Sequence, residues 1–292
     1  MADLFLNDDE TKVLAWIHSN KFITTKLFHR KFMAANTFRA ACKALDKYAD
    51  RNLLKRHKAH IHADSFYSLH RTTIHRLKDA GAILTAPAIR QAHVNTYEKE
   101  HDKRVIEMRI AIEESQGLEG LCWLTDYEMR IGLQYDWKKL LEEGRGSEVK
   151  AVRLQKSLKR VPDGYFEATI KGKKRRFILE YEHSPYSNER ITSMIQRVYG
   201  NFPDAIKLVV TATQERLYGL KDKLSDRVTD PVERASWVFA PYEKVASLPF
   251  LKTPWVDLDR YYLSFLDEEA RQGAPKVPKS ELHKKVTQGE LV

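Results

Sequence analysis

The hydrophobic and polar positions of the first 80 residues predict short helices followed by a hairpin. Apolar residues recur at helical spacing between polar capping residues, and acidic residues open the first helix, where the helix dipole favours them. The predicted helices span 8–20, 24–32, 37–50 and 70–80, and the predicted strands span 53–56 and 65–69. Aromatic side chains at helical spacing are expected in the core, namely Trp16, Phe22, Phe28, Phe32 and Phe38.

The third predicted helix carries a basic stripe. Arg39, Lys43 and Lys47 repeat every four residues, opposite an apolar face that includes Phe38 and Leu45. Three helices followed by a hairpin with a charged tip is the order of a winged helix-turn-helix, whose third helix enters the major groove of DNA. The hairpin adds three further predicted DNA contacts, Lys55, Arg56 and Lys58. A three-helix protein-interaction module is the alternative interpretation of this segment.

The rest of the chain is predicted to form a second, larger domain that opens with an amphipathic helix over 101–114. Gly81 and Pro87 mark the connector before it. The predicted divisions are a DNA-binding domain over 1–82, a connector over 83–100, the second domain over 101–272 and a poorly ordered tail over 273–292. The strongly basic segment 138–160 is expected at the surface of the second domain.

Strand-like composition over 164–170 and 175–182, with a glycine-containing turn at 171–174, predicts a second hairpin. Side chains alternate along a strand, so Glu180 and Glu182 should point to one face and His183 to the other. The turn is basic, and Lys173, Lys174 and Arg175 are further candidates for contact with DNA phosphates.

The hairpin is expected to bring Asp163, at the mouth of its first strand, beside Glu180 and Glu182. Two carboxylates about 5–6 Å apart repel by on the order of 3 kcal/mol at an effective dielectric near 20. A bound cation relieves this repulsion, and ligand sets made only of oxygen suit Mg²⁺ or Mn²⁺. The sequence therefore predicts a divalent-metal site at these carboxylates.

At these residues the sequence resembles the PD-(D/E)xK nuclease superfamily. Pro162-Asp163 matches the first half-motif and Glu180-Tyr181-Glu182 matches the second, with Glu182 where most members carry lysine. The resemblance implies an α/β domain in which Asp163, Glu180 and Glu182 bind Mg²⁺ or Mn²⁺ and catalyse DNA cleavage. It further implies Glu107, on the preceding helix, as a metal ligand and Gln196, on the following helix, as a catalytic residue.

A winged helix joined to such a domain is similar to the replication-relaxation family, which is related to the MobC-type plasmid mobilisation relaxases. The similarity covers most of residues 7–245. It implies metal-dependent nicking of duplex DNA, with single-stranded DNA at the nick site, during plasmid mobilisation, conjugation or replication. Accessory mobilisation or replication proteins would be further partners.

Composition and charge agree with a nucleic-acid partner. Lys and Arg number 50 against 40 Asp and Glu among 292 residues, an excess that favours a polyanion. With no apolar run of membrane-spanning length and no secretion signal, the two cysteines, Cys42 and Cys122, are expected to be reduced thiols in the cytoplasm.

Two functional hypotheses follow from the sequence. The first is a metal-dependent DNA endonuclease of relaxase type, in which the N-terminal domain binds DNA and the carboxylates cut it. The alternative is a non-enzymatic DNA-binding regulator with an inactive nuclease-like domain, which the glutamate in place of lysine at position 182 keeps open.

Overall fold

The computed structural model describes residues 6–57, 65–83, 96–130, 161–183 and 187–263, the last range with gaps at 188, 190, 193, 196–201, 203 and 260–261. It is a mixed α/β protein whose chain divides into two compact units. The first unit takes the described parts of 1–110 and 124–161, and the second takes those of 111–123 and 162–292. Lys58, the tip 58–64, the basic segment 138–160 and the tail 273–292 lie outside the described residues.

The first unit follows the predicted order of elements closely. Its elements are α1 (Asp8–Ser19), β1 (Ile23–Thr24), α2 (Thr25–Phe32), α3 (Phe38–Asp50), β2 (Leu54–His57), β3 (Phe66–Leu69) and α4 (Arg71–Asp79). Their strands form a three-stranded antiparallel sheet in the order β1-β3-β2. The predicted helices and strands are confirmed, and the added strand β1 was not predicted.

Side-chain caps explain why these helices begin where they do. Asn7 and Glu10 form a reciprocal capping box at α1. At α2 the hydroxyl of Thr24 accepts a hydrogen bond from the backbone amide of Leu27. At α3 the hydroxyl of Thr37 accepts one from the backbone amide of Ala40. Each cap satisfies an amide that has no partner within its helix. The predicted helix starts therefore rest on local chemistry.

The expectation that Phe38 belongs to the core is wrong. Its side chain is 47% exposed, whereas Phe22 and Phe28 are buried and Trp16 and Phe32 pack against the core. The core-facing positions of α3 are Ala41 and Leu45, one and two turns further along the helix. Phe38 is the first residue of the helix and lies beyond the part of it that packs inward.

Helix α5 (Thr96–Glu113) begins inside the predicted connector, five residues before the expected start at 101. Its Ile106 and Ile110 belong to the core of the first unit, which differs from the predicted division at residue 100. The Lys21 ammonium lies 3.2 Å from Asp102 and 3.1 Å from Asp126. Burial disfavours its charge, yet the two carboxylates hold the pKa of Lys21 above its ordinary value.

His18, on α1, is a buried imidazole that packs edge-on against Tyr127, with the ring centroids 5.1 Å apart. Burial lowers the pKa of His18 to about 4, because the charged form loses its hydration. The imidazole is therefore neutral in the folded protein at pH 7.

This neutral histidine predicts a loss of stability at acid pH. Unfolded His18 takes up a proton below pH about 6.5, whereas the folded residue does so only near its lowered pKa of about 4. The unfolded state binds more protons within this window, so the free energy of unfolding should fall by about 3 kcal/mol as the pH drops through it. In urea unfolding at pH 7 and pH 4.5, His18→Gln should lose less stability than the wild type. His75→Gln, at an exposed position, is the control, and an equal pH dependence of all three proteins would contradict the assignment.

The second unit is built on a seven-stranded mixed sheet in the order β10-β9-β8-β7-β6-β5-β4. Its strands are β4 (Glu119–Thr125), β5 (Gly164–Ile170), β6 (Lys173–Glu182), β7 (Ile206–Thr211), β8 (Trp237–Pro241), β9 (Trp255–Asp257) and β10 (Tyr262–Leu263). Helices α6 (Gln214–Ser225), α7 (Pro231–Ser236) and α8 (Tyr242–Ser247) follow β7 and β8. Strand β6 pairs antiparallel with β5 and parallel with β7, and β7 pairs parallel with β8. The hairpin was predicted, whereas β8, β9 and β10 were not.

The turn between β5 and β6 is shorter than predicted. It consists of Lys171 and Gly172 alone, with positive φ angles of 49° and 75°. Two-residue turns of this kind match the twist of the paired strands, and glycine adopts a positive φ without steric cost. Lys173 is thus the first residue of β6 instead of part of the turn.

The two faces of the sheet are covered differently. On one face, the rings of Trp123, Phe166 and Phe177 stack with centroids 5.0 and 4.7 Å apart, and Phe250 packs edge-on against Phe166 and Phe177. The other face carries a largely aliphatic core that includes Ile178 and Val209 and is covered by α6 and helical residues near Ile191. No described helix is long and apolar enough to cross a membrane.

Close packing over Gly164 predicts a site that tolerates no side chain. A Cβ atom there would lie 2.7 Å from the Trp123 ring, which its stacking on Phe166 holds in place. Gly164→Ala should lower the free energy of unfolding by about 1–3 kcal/mol through overpacking. Gly219→Ala is the matched control, because its helical position has open space, and it should stabilise by about 0.5–1 kcal/mol. Equal melting temperatures for the wild type and Gly164→Ala would refute this packing argument.

Candidate active site and nucleic-acid surface

Glu180 and Glu182 lie in the last three residues of β6 and are almost completely buried, with 4% and 2% of their surfaces exposed. They point to the same face, because they are two residues apart in a strand. Their register partners on β7 are Val209 and Thr211, and Val209 belongs to the aliphatic core of that face. The predicted placement of both glutamates on one face is therefore found in the structure.

Asp163 precedes β5 and touches the strand that carries the glutamates. One oxygen of its carboxylate accepts a hydrogen bond of 2.8 Å from the backbone amide of Tyr181, the residue between Glu180 and Glu182. The side chain thus extends the pairing of β5 with β6 beyond Gly164. This contact confirms that the hairpin brings Asp163 to the end of β6, and it also gives the residue a structural role.

Tyr181 and His183 occupy the opposite side of β6. Their rings are stacked with centroids 6.0 Å apart, and Tyr181 also packs against Tyr242, the first residue of α8, at 5.7 Å. His183 therefore lies on the face away from the glutamates, as the alternation of side chains predicts.

The donor chemistry of the carboxylates suits a hard divalent cation. A buried carboxylate must be paired, hydrogen-bonded, bound to a metal or protonated, because its desolvation is costly. Carboxylate oxygens are the ligands that Mg²⁺ and Mn²⁺ prefer. Within the described ranges, however, no three or more His, Cys, Asp or Glu side chains are arranged to hold a metal ion. The metal site accordingly stays a prediction.

Two predicted site residues remain, of which one belongs to the first unit and the other is outside the part of the chain that the structure describes. Glu107 lies on α5 in the first unit, where its side chain is half-buried. Gln196 lies outside the described residues.

The basic end of the hairpin is more neutralised than the sequence predicts. The Lys174 ammonium lies 2.5 Å from a carboxylate oxygen of Glu167, and Arg176 lies 3.3 Å from the other oxygen. The hydrogen bond from Lys174, with a second from Tyr165, lowers the pKa of Glu167 to about 2. Lys173 is exposed and Arg175 half-exposed. Lys174 thus already pairs with a cross-strand carboxylate, and its contact with DNA stays a prediction.

The basic stripe on α3 is at the surface, as predicted: Arg39, Lys43 and Lys47 are all exposed. Asp46 interrupts the same surface and pairs with Arg56 of β2 at 3.4 Å, with both side chains about half exposed. Lys55 is exposed on β2. The stripe therefore offers three exposed cations on one helix, whereas Arg56 already has a carboxylate partner.

Sequence reasoning missed one residue of this surface. Phe38 is an exposed aromatic side chain beside Arg39, and its ring packs edge-on against His29 with centroids 5.8 Å apart. The imidazole Nε2 of His29 lies 2.7 Å from the carbonyl oxygen of Asn36, which anchors it to the turn before α3. Helical spacing suggested a core role for Phe38, and the sequence carries no signal that distinguishes the first turn of α3 from the following ones.

Comparisons with protein-family models, curated proteins and solved structures found no match to this chain.

Proposed function

We propose that this protein is a DNA-binding, divalent-metal-dependent endonuclease of relaxase type that acts in plasmid mobilisation or replication. The observation that carries the proposal is the pair of buried glutamates, Glu180 and Glu182, side by side at the end of β6, with Asp163 bonded to the amide between them. Buried acids on one strand face are costly to maintain. A site that binds a cation accounts for their placement.

The order of elements supports both halves of the proposal. In the first unit, α1-β1-α2-α3-β2-β3 with the sheet order β1-β3-β2 agrees with a winged helix-turn-helix, in which α3 is the recognition helix. In the second, strands β4 to β7 are adjacent in the sheet, with the acidic half-motifs at the start of β5 and the end of β6. This arrangement is what the resemblance to PD-(D/E)xK nucleases implies.

In this mechanism Asp163, Glu180 and Glu182 would hold Mg²⁺ or Mn²⁺. When bound, such an ion would supply Lewis-acid chemistry at a phosphate and a more acidic water. The amide of Tyr181 orients Asp163, and the two glutamates are almost completely buried. The exposed cations of α3 hold the DNA by its phosphates.

A non-enzymatic DNA-binding regulator is the second candidate. It is favoured by Glu182 in the position where most PD-(D/E)xK nucleases carry lysine, and by the hydrogen bond that gives Asp163 a structural role. Such a protein would keep the fold and the DNA-binding surface without cutting DNA.

The full chain with Mn²⁺ distinguishes the two candidates. The nuclease should nick supercoiled plasmid or cut single-stranded DNA with Mn²⁺ and not with EDTA, and Mn²⁺ should raise its melting temperature, because a ligand that binds only the native state stabilises it. DNA binding should persist in EDTA. Binding without cleavage, together with a melting temperature indifferent to millimolar Mn²⁺ and Mg²⁺, would establish the regulator instead.

A further inference from the structure

Phe38 is an exposed aromatic residue at the start of the helix that carries the basic stripe. Arg39 follows it directly, Lys43 lies one turn further on, and both are exposed. An isolated apolar residue at a surface is ordinary, but a ring with 47% of its surface exposed beside two cations is a specific combination. The combination fits a partner that presents both negative charge and apolar groups.

The position of Phe38 on α3 narrows the choice of partner. It is the first residue of the helix, and the N-terminal residues of a recognition helix are those that contact base edges in the major groove. In that groove the apolar group is the 5-methyl of thymine, which aromatic and other apolar side chains contact. The neighbouring cations have the sign required to bind the flanking phosphates.

The ring of Phe38 is already held in place before any partner binds. It packs edge-on against His29, and the His29 ring is anchored by its 2.7 Å contact with the carbonyl oxygen of Asn36. A side chain ordered in advance loses little rotational freedom on binding, which favours its use in recognising a base.

We infer that Phe38 is a specificity-determining residue that contacts the 5-methyl group of thymine in the DNA bound by α3. This inference rests on the proposed DNA binding and deepens it, because it names the chemical group that is read. Arg39 and Lys43 position the helix on the backbone, and Phe38 favours thymine over bases that lack the methyl group.

The test uses the full chain and combines a substitution in the protein, Phe38→Ala, with a substitution in the DNA, deoxyuridine for thymine. A duplex is first selected by the wild-type protein from a random-sequence pool, and each thymine is then replaced in turn by deoxyuridine, which removes only the 5-methyl group. At one position or more, the wild type should bind the uracil duplex about four-fold more weakly, the effect of one buried methyl group. Phe38→Ala should bind the thymine duplex more weakly by a similar factor and should not distinguish thymine from uracil at that position.

Controls separate this inference from the function on which it rests. Val232→Ala removes another exposed apolar side chain, in the second unit, and should keep the preference for thymine. Phe38→Leu, which preserves apolar bulk, should keep part of it. If the wild type binds DNA with a steep salt dependence but treats thymine and uracil alike at every position, or if Phe38→Ala keeps the preference, the inference about Phe38 is overturned and DNA binding stands. Absence of any duplex binding by the wild type would instead reject the DNA-binding proposal, and the inference with it.

Discussion

Replacing Asp163 with asparagine should lower the rate of Mn²⁺-dependent nicking by two or more orders of magnitude and leave the melting temperature almost unchanged. The metal would supply both the nucleophile and the stabilisation of charge, so the loss of one anionic ligand affects the chemical step itself. The asparagine side-chain oxygen can still accept the hydrogen bond that the Tyr181 amide donates to Asp163. Binding to the same DNA should survive or tighten, because a negative charge beside phosphate has been removed.

The two roles of Asp163 are separated by a second variant and a control. Asp163→Ala removes both the charge and the hydrogen bond, so it should also lower the free energy of unfolding by about 1–2 kcal/mol. Glu167→Gln removes a carboxylate from the ion pairs of the same hairpin and should nick at the wild-type rate. If Asp163→Asn nicks as fast as the wild type while Asp163→Ala only loses stability, the residue is structural and the proposed ligand set is wrong.

Reversing two charges on α3 should weaken binding to duplex DNA on the order of 30-fold at low salt. Arg39→Glu with Lys43→Glu removes two exposed cations from the proposed recognition helix and places two anions near phosphate. Each lost phosphate contact should lower the slope of log affinity against log salt by about one unit, so the double variant should show a visibly flatter dependence. Fluorescence anisotropy with a labelled duplex at several salt concentrations measures both effects.

A matched pair of substitutions separates local contact from net charge. Arg71→Glu with Lys78→Glu changes the net charge by the same amount at exposed positions of α4. This control should retain most of the affinity and the full salt dependence. Equal losses for the two double variants would mean that α3 has no privileged role in binding DNA.

The parts of the fold that could be predicted from the sequence are those set by local chemistry. The starts of α1, α2 and α3 follow from Asn7, Thr24 and Thr37, whose side chains accept amides three residues ahead in the chain. The hairpin that presents the glutamates follows from the glycine in its turn and from alternation along its strands. These signals involve residues close in sequence, so one sequence suffices to read them.

The parts that could not be predicted depend on contacts between distant segments. Helical spacing places Phe38 on the core side of α3, but only the packed structure reveals that the core begins one turn later, at Ala41. The sequence alone shows no partner for Lys174, because Glu167 reaches it only through the pairing of β5 with β6. Strands β8 and β9 are only five and three residues long, and they are strands because they pair with neighbouring strands in the sheet.

The two-residue turn at Lys171 and Gly172 has a consequence for the side of the sheet on which the acids lie. A turn with two positive φ angles fixes the pairing of Ile170 with Lys173, and with it every later pair along the hairpin. Because side chains alternate, a slip of one residue between the strands would exchange the two faces of β6. Glu180 and Glu182 would then be directed into the aromatic stack and Phe177 away from it. The backbone conformation of two turn residues at one end of the hairpin thus decides which neighbouring side chains surround the carboxylates at the other end.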